Sequence, residues 1–175
     1  MVQTTGDRRL EKLKLLFTPV RIGCMEVRNR LVMAPMSTNL GSAEGHVTPA
    51  LIEFFTARAR GGVGLIITGD VTVEGEAKYN PRGLGLYDQG SIASWKELTA
   101  AVQAHGAKFA PQLIHPSFNA RSALSGVQSV AASPIASRRV REIPRELRPE
   151  EIGKIIGQFG DAACKAPSPW TPHIK

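Results

Sequence analysis

The run VGLIITGD, residues 63–70, decides the fold. A strand with one wet face alternates apolar and polar residues, whereas this run is apolar or small up to Thr68, the pattern of a strand covered on both faces. It ends in Gly69 and Asp70, and a turn-rich stretch with Gly75, Pro81, Gly83 and Gly85 follows. Upstream, Thr48 offers a helix N-cap with Pro49 at the first helical position, and ALIEFFTARARGG (50–62) predicts three turns that stop at Gly61-Gly62. Earlier still, LFTPVRIGCMEVRNRLVMAPM (16–36) alternates short apolar runs with turn residues. It predicts a small hairpin feeding a buried strand at Leu31–Pro35, followed by the loop MSTNLGSAEGHV (36–47).

Downstream, SIASWKELTAAVQAHG (91–106) predicts a helix closed by Gly106. Ser94 and Glu97 have capping-box spacing, with Ser91 as the alternative cap, and Ile92, Trp95, Leu98, Ala101 and Val102 form the apolar or small face. KFAPQLIHP (108–116) reads as a third strand whose polar residues lie towards its C-terminal end. A Gly-Ser-Pro-rich loop then leads to a helix from Glu150 to Lys165, with Ile152, Ile155, Ile156, Phe159, Ala162 and Ala163 at helical spacing. Pro167, Pro169 and Pro172 stop it, because each lacks a backbone donor and disfavours helix at the residue before it.

The order is therefore β-α-β-α-β-α, which argues for an α/β fold on a parallel sheet. In such folds functional residues sit at the strand C-terminal ends, here APMST (34–38), TGD (68–70) and QLIH (112–115). No Gly-x-Gly-x-x-Gly follows the first strand and no phosphate-binding lysine loop occurs.

The 175 residues, 42% hydrophobic, suffice for one core. No apolar run is long enough to span a bilayer, and the start MVQTTGDRRLEKLK is too charged for a secretory signal, so a soluble cytoplasmic protein without a membrane partner is expected. Cys24 and Cys164 form no paired spacing, which speaks for neither a disulfide framework nor a zinc site, and both are expected to be small buried or half-buried groups. The net charge of +7 is concentrated in SRRVREIPRELR (137–148), with Arg138, Arg139, Arg141, Arg145 and Arg148. No aromatic residues interleave with these arginines and no nucleic-acid motif accompanies them, so the segment reads as a solvated loop and nucleic acid is not expected as a partner.

From Leu15 to Lys165 the chain resembles the old yellow enzyme family of NADH:flavin oxidoreductases. Four segments carry the resemblance in the family's order: LFTPVRIGCMEVRNRLVMAPMSTNLG, GGVGLIITGDVTVEG, HGAKFAPQLIHP and ASPIASRRVREIPRELRPEEIGKIIGQFGDAACKA. The MSTNL loop leans towards the 2-enoate reductase and 2,4-dienoyl-CoA reductase branch. The resemblance implies a (β/α)8 TIM barrel with FMN across its C-terminal mouth. Since a whole barrel needs about 250 residues, it implies a truncated N-terminal portion of about three β/α units. Residues 1–14 then form a polar leader, 15–166 the partial barrel, and 167–175 an unrelated Pro-rich tail.

By position in the family, the backbone of Ala34, Pro35 and Met36 would approach the flavin, and Ser37 would hydrogen-bond near its N5 and O4. Gly69 and Asp70 would meet its carbonyl edge through the main chain. Gln112 would read the pyrimidine edge, a task suited to an amide with a donor and an acceptor face. His115 belongs to the strand-end structure and is set aside as an acid or base, while Phe54, Phe55 and Trp95 read as barrel packing. Many relatives continue after the histidine with glycine and arginine, where this chain has Ser117 and Phe118.

The implied activity is that of an ene-reductase, using NAD(P)H as reductant and an enoate or enone as small-molecule substrate. The family's substrate-anion and proton-donor residues have no counterpart here, nor do the cysteines of an iron–sulfur cluster, so the chain alone is expected to be inactive. An open barrel edge would favour self-association. The alternative reading is a non-catalytic fragment that binds or complements another barrel piece.

Overall fold

The structure is a computed structural model that describes residues 13–166. The three prolines 167, 169 and 172 lie outside the described residues, as does nearly all of the leader. A single 3-10 turn, Lys14–Phe17, leads to the predicted hairpin, β1 (Val20–Ile22) antiparallel to β2 (Met25–Val27). Gly23 makes its turn at φ 59°, a conformation that costs glycine little. Met25 and Val27 are buried together with Leu65, so the hairpin caps the N-terminal end of the main sheet.

That sheet is assembled around one strand. β3 (Val32–Met33), α1 (Pro49–Arg60), β4 (Leu65–Thr72), β5 (Leu84–Gly85), α2 (Gln89–Gln103) and β6 (Lys108–Ile114) follow in turn. β4 pairs in parallel with β6 from Leu65↔Lys108 to Thr72↔Ile114. Along its other edge it takes β3 at Leu65 and Ile66, and β5 at Val71 and Thr72. After β6 come α3 (Ser122–Ser125), a small parallel pair β7 (Val130–Ala131) and β8 (Arg145–Glu146), and α4 (Pro149–Lys165).

The core lies between this sheet and α1 and α2. Leu51, Phe55 and Ala59 of α1, Trp95, Leu98 and Val102 of α2, Ile66 and Val71 of β4 and Phe109 of β6 form one buried cluster. Phe55 and Phe109 meet edge to face at 5.4 Å, and the Trp95 indole N–H donates to the Gly85 carbonyl at 3.0 Å, so its polar atom is satisfied in the core. Thr48 caps α1 as predicted, its side chain accepting from the Leu51 N–H. Arg28 gathers the far helix ends: its guanidinium donates to Ala59 O, Val63 O and His105 O, placing a cation where α1 and α2 leave carbonyls unpaired.

Three expectations are corrected. The first barrel strand is β3 alone, not a buried run over Leu31–Pro35. Val32 is 50% exposed, because β3 has only β4 beside it among the described residues and Pro35 has no N–H to extend the ladder. α2 is capped by Asp88, which accepts from Ser91 N–H at 2.7 Å and is itself held by His46, so neither Ser91 nor Ser94 caps it. Cys24 and Cys164 are both exposed, one at the hairpin turn and one in the last turn of α4. α4 forms where the helical spacing places it; it buries Ala162 and packs Phe159 against the core, while Ile152 and Ile156 remain 48% and 67% exposed. Among the described residues, no helix is long and apolar enough to cross a membrane.

Candidate functional site

The ends of β3 and β4 come together because Gly69 has no side chain, and β6 joins them by pairing with β4. A Cβ at Gly69 would stand 2.3 Å from Met36 O and 2.5 Å from Ser37 N, so β4 presses directly on the backbone that leaves β3. This approach disturbs the ladder, and the β4–β6 register shifts between Ile67 and Asp70. The buried Thr68 hydroxyl bridges the gap. It donates to Gly69 O at 2.8 Å and accepts from Gln112 N at 3.1 Å, and pairing resumes at Asp70↔Gln112.

Ala34, Pro35, Met36 and Ser37 line the exposed rim of this junction. The Ser37 hydroxyl donates to Asp70 Oδ2 at 2.6 Å and lies 3.0 Å from the Tyr79 hydroxyl. A serine has one proton, so with that proton on Asp70 the Tyr79 hydroxyl is the donor, and the chain runs from Tyr79 through Ser37 to Asp70. Gln112 is half-buried, and its side-chain amide bonds no described residue. The result is a ledge where the main chain leaving β3 rests on β4, beside a strand that carries an amide, unpaired among the described residues, with a donor and an acceptor.

His115 is committed elsewhere. Its Nδ1 accepts from Ser117 N at 3.2 Å, which leaves the proton on Nε2, 3.1 Å from Glu74 Oε2. Glu74 also receives Lys154 Nζ at 2.9 Å and Gln158 Nε2 at 3.1 Å, both from α4. The His115 hydrogen bond, helped by Lys154 and Gln158, outweighs burial and lowers the Glu74 carboxyl from its ordinary 4.5 to about 2. This cluster fastens α4 to the ends of β4 and β6. Glu74, Tyr79, Lys154 and Gln158 were not singled out in the sequence, where the partners of Glu74 lie 41 to 84 positions away.

The arginine segment divides in two. Arg145 and Arg148 both bind Glu151, at 2.7 and 2.9 Å, and the Glu151 carboxylate reaches back to Arg148 N at 2.8 Å, so these two residues build the start of α4. The paired guanidiniums hold Glu151 far below the usual carboxylate range. Arg138, Arg139 and Arg141 are exposed, and Arg139 lies over the Tyr79 ring at 5.5 Å. The expectation of a solvated loop therefore covers only part of the segment.

Residues 15–168 match the NADH:flavin oxidoreductase / NADH oxidase family. The chain is 42% identical over 156 residues to a metal reductase of Desulforamulus reducens, a match that covers 88% of this chain and 23% of that protein. It is 42% identical over 153 residues to an NADH oxidase of Thermoanaerobacter brockii, covering 86% and 24% of the two chains. It thus spans about a quarter of the length of these curated relatives. Among solved structures, an old yellow enzyme homologue from Zymomonas mobilis superposes with a TM-score of 0.78 at 27% identity, over 87% of this chain and 46% of that one. Fold, strand-end geometry and these likenesses agree: the chain belongs to the NADH:flavin oxidoreductase / NADH oxidase family and builds part of its TIM barrel.

Proposed function

We propose that the chain supplies a flavin-binding face for an FMN-dependent NAD(P)H oxidoreductase of the ene-reductase type. The observation that carries this reading is the junction itself: Gly69 lets the backbones of two strand ends press together, and the half-buried Gln112 amide, unpaired among the described residues, belongs to the strand paired beside them. These residues fit a planar heteroaromatic group, which needs a flat surface and a paired donor and acceptor at its edge. When bound, FMN supplies hydride transfer between a nicotinamide and an activated alkene.

The chain's own residues bind and orient. The main chain of Ala34, Pro35 and Met36 forms the ledge, Gly69 and Asp70 present backbone to the ring edge, and Gln112 fixes its rotation. Ser37 plays a narrower part than a free hydroxyl would. Its proton is held by Asp70, so it meets a ring as an acceptor. The whole protein's substrate in this reading is a small enoate or enone.

An FMN titration of the purified chain, followed by quenching of flavin fluorescence, tests this. Saturable binding is expected. Gln112→Ala weakens it roughly tenfold through two lost hydrogen bonds, and Ser37→Ala only two- to threefold, about one partial contact. Absence of saturable binding by a folded sample would overturn the reading, and equal losses in the two variants would remove the assigned roles.

A further inference from the structure

Beside the ledge lies a cavity of about 260 Å³, lined by Asp70, Tyr79, Ile114, His115, Pro116, Asn119 and Arg139. Its outer wall is a built loop. Ser137, only 7% exposed, accepts from Arg139 N at 3.1 Å and Val140 N at 3.4 Å, so its own proton goes to Asn119 Oδ1 at 2.7 Å. That bond does two things. It ties the arginine loop to the turn after β6, and it turns the Asn119 oxygen towards Ser137, leaving the NH₂ without a partner among the described residues. Arg141 closes the loop at φ 61°, with its N–H on Ser137 O at 2.8 Å.

Arg139 is thus held in place although its side chain reaches solvent. Its guanidinium carbon lies 5.5 Å from the centre of the Tyr79 ring, and the group forms no ion pair or hydrogen bond with any described residue. His115 lines the same cavity, but both of its ring nitrogens are occupied by Glu74 and Ser117. Asp70 also lines the cavity, with its carboxylate on Ser37. Among the described residues the lining therefore includes one free cation, one free amide donor and one carboxylate already bonded to a hydroxyl.

We propose that this cavity is a subsite for an anionic oxygen group, a carboxylate in the first place, with Arg139 as the residue that selects charge and Asn119 as its second donor. A guanidinium that makes no hydrogen bond or ion pair keeps its N–H groups free, and two of them match the two oxygens of a carboxylate. Asp70 repels negative charge, which sets the polarity: the carboxylate turns to Arg139 and the neutral body of the ligand lies towards Asp70 and the ledge. The inference rests on the flavin reading for what that body is, an enoate carried over the ring. The phosphates of a dinucleotide reductant offer the same chemistry and are the other source.

The test titrates the ¹⁵N-labelled chain with crotonate and with its neutral isostere crotonamide, following the Arg139 Nε–H resonance, and measures FMN affinity in parallel. Crotonate is expected to shift that resonance saturably and crotonamide to bind roughly tenfold more weakly, the scale of one charge-assisted contact at a partly exposed site. Arg139→Gln removes the preference and leaves FMN affinity within about twofold, whereas Arg138→Gln, which alters an arginine that does not line the cavity, keeps the preference. Equal binding of the two probes, an unmoved Arg139 resonance, or equal loss in Arg138→Gln would overturn the subsite. Displacement of crotonate by NADH assigns the subsite to the dinucleotide phosphates, and its persistence assigns it to the substrate carboxylate. Failure of FMN to bind with the crotonate response intact would sink the flavin reading alone, and the reverse would sink the subsite alone.

Discussion

β4 and α4 are both rich in apolar residues, yet they meet different surroundings. β4 has strands along both edges and helices against one face, and Ile66 and Val71 have no exposed surface. α4 reaches the core through Phe159 and Ala162, while its first half is fastened by ions and amides: Lys154 and Gln158 on Glu74, and Glu151 on Arg145 and Arg148. Where packing is complete, apolar burial sets the position. Where it is partial, a polar cluster takes over the task of holding the helix, and Ile152 and Ile156 are left in solvent.

This contrast is testable. The largest effect is expected at the packed centre. Trp95→Ala opens a cavity against Phe109 and leaves Gly85 O without its donor, and should cost about 3–5 kcal/mol in urea unfolding with an unchanged denaturant slope. A cost below about 1 kcal/mol would mean that the α2 contact is not a true core.

An intermediate effect belongs to the polar fastening. The folded Glu74 carboxyl is depressed to about 2 from 4.5, so its stabilisation is fully present above about pH 4.5 and is lost as pH falls towards 2. Allowing for solvent screening, this amounts to about 1–3 kcal/mol. Glu74→Gln should lose that stability at neutral pH and flatten the acid limb between pH 4.5 and 2. Parallel acid limbs in the two proteins would place the acid-sensitive group elsewhere.

The smallest effect is expected on the outer face of α4. Ile156→Lys removes a side chain that is 67% exposed and should change stability by less than about 0.5 kcal/mol. A larger loss, or a fall in sedimentation coefficient relative to the parent, would show that this face is covered in solution by another copy and would erase the contrast with β4.

Much of this was legible along the chain. The unbroken apolar run at 63–68, the Thr48-Pro49 start and the Gly61-Gly62 stop are local signals, because strand burial, capping and helix termination depend on neighbours within a turn. The expectation that a site lies at the strand ends is of the same local kind: parallel strands joined by helices leave their C-terminal ends to the long loops. The sequence by itself therefore determined the β-α-β-α-β-α order and an α/β fold on a parallel sheet, its family resemblance implied the barrel, and residues 34–37, 69–70 and 112 fall at strand ends that the fold brings side by side.

Only the tertiary structure decided what those residues are committed to. Asp88 rather than a serine caps α2, Ser37 gives its proton to Asp70, His115 is spent on Glu74, and Arg139 stays free while Arg145 and Arg148 do not. The physical reason is separation along the chain. Ser37 and Asp70 stand 33 positions apart and Glu74 and Lys154 80, and the proton of a hydroxyl or imidazole is assigned by whichever acceptor the fold carries within 3 Å or so. Spacing in sequence cannot rank such acceptors; the packing of strand ends against loops does.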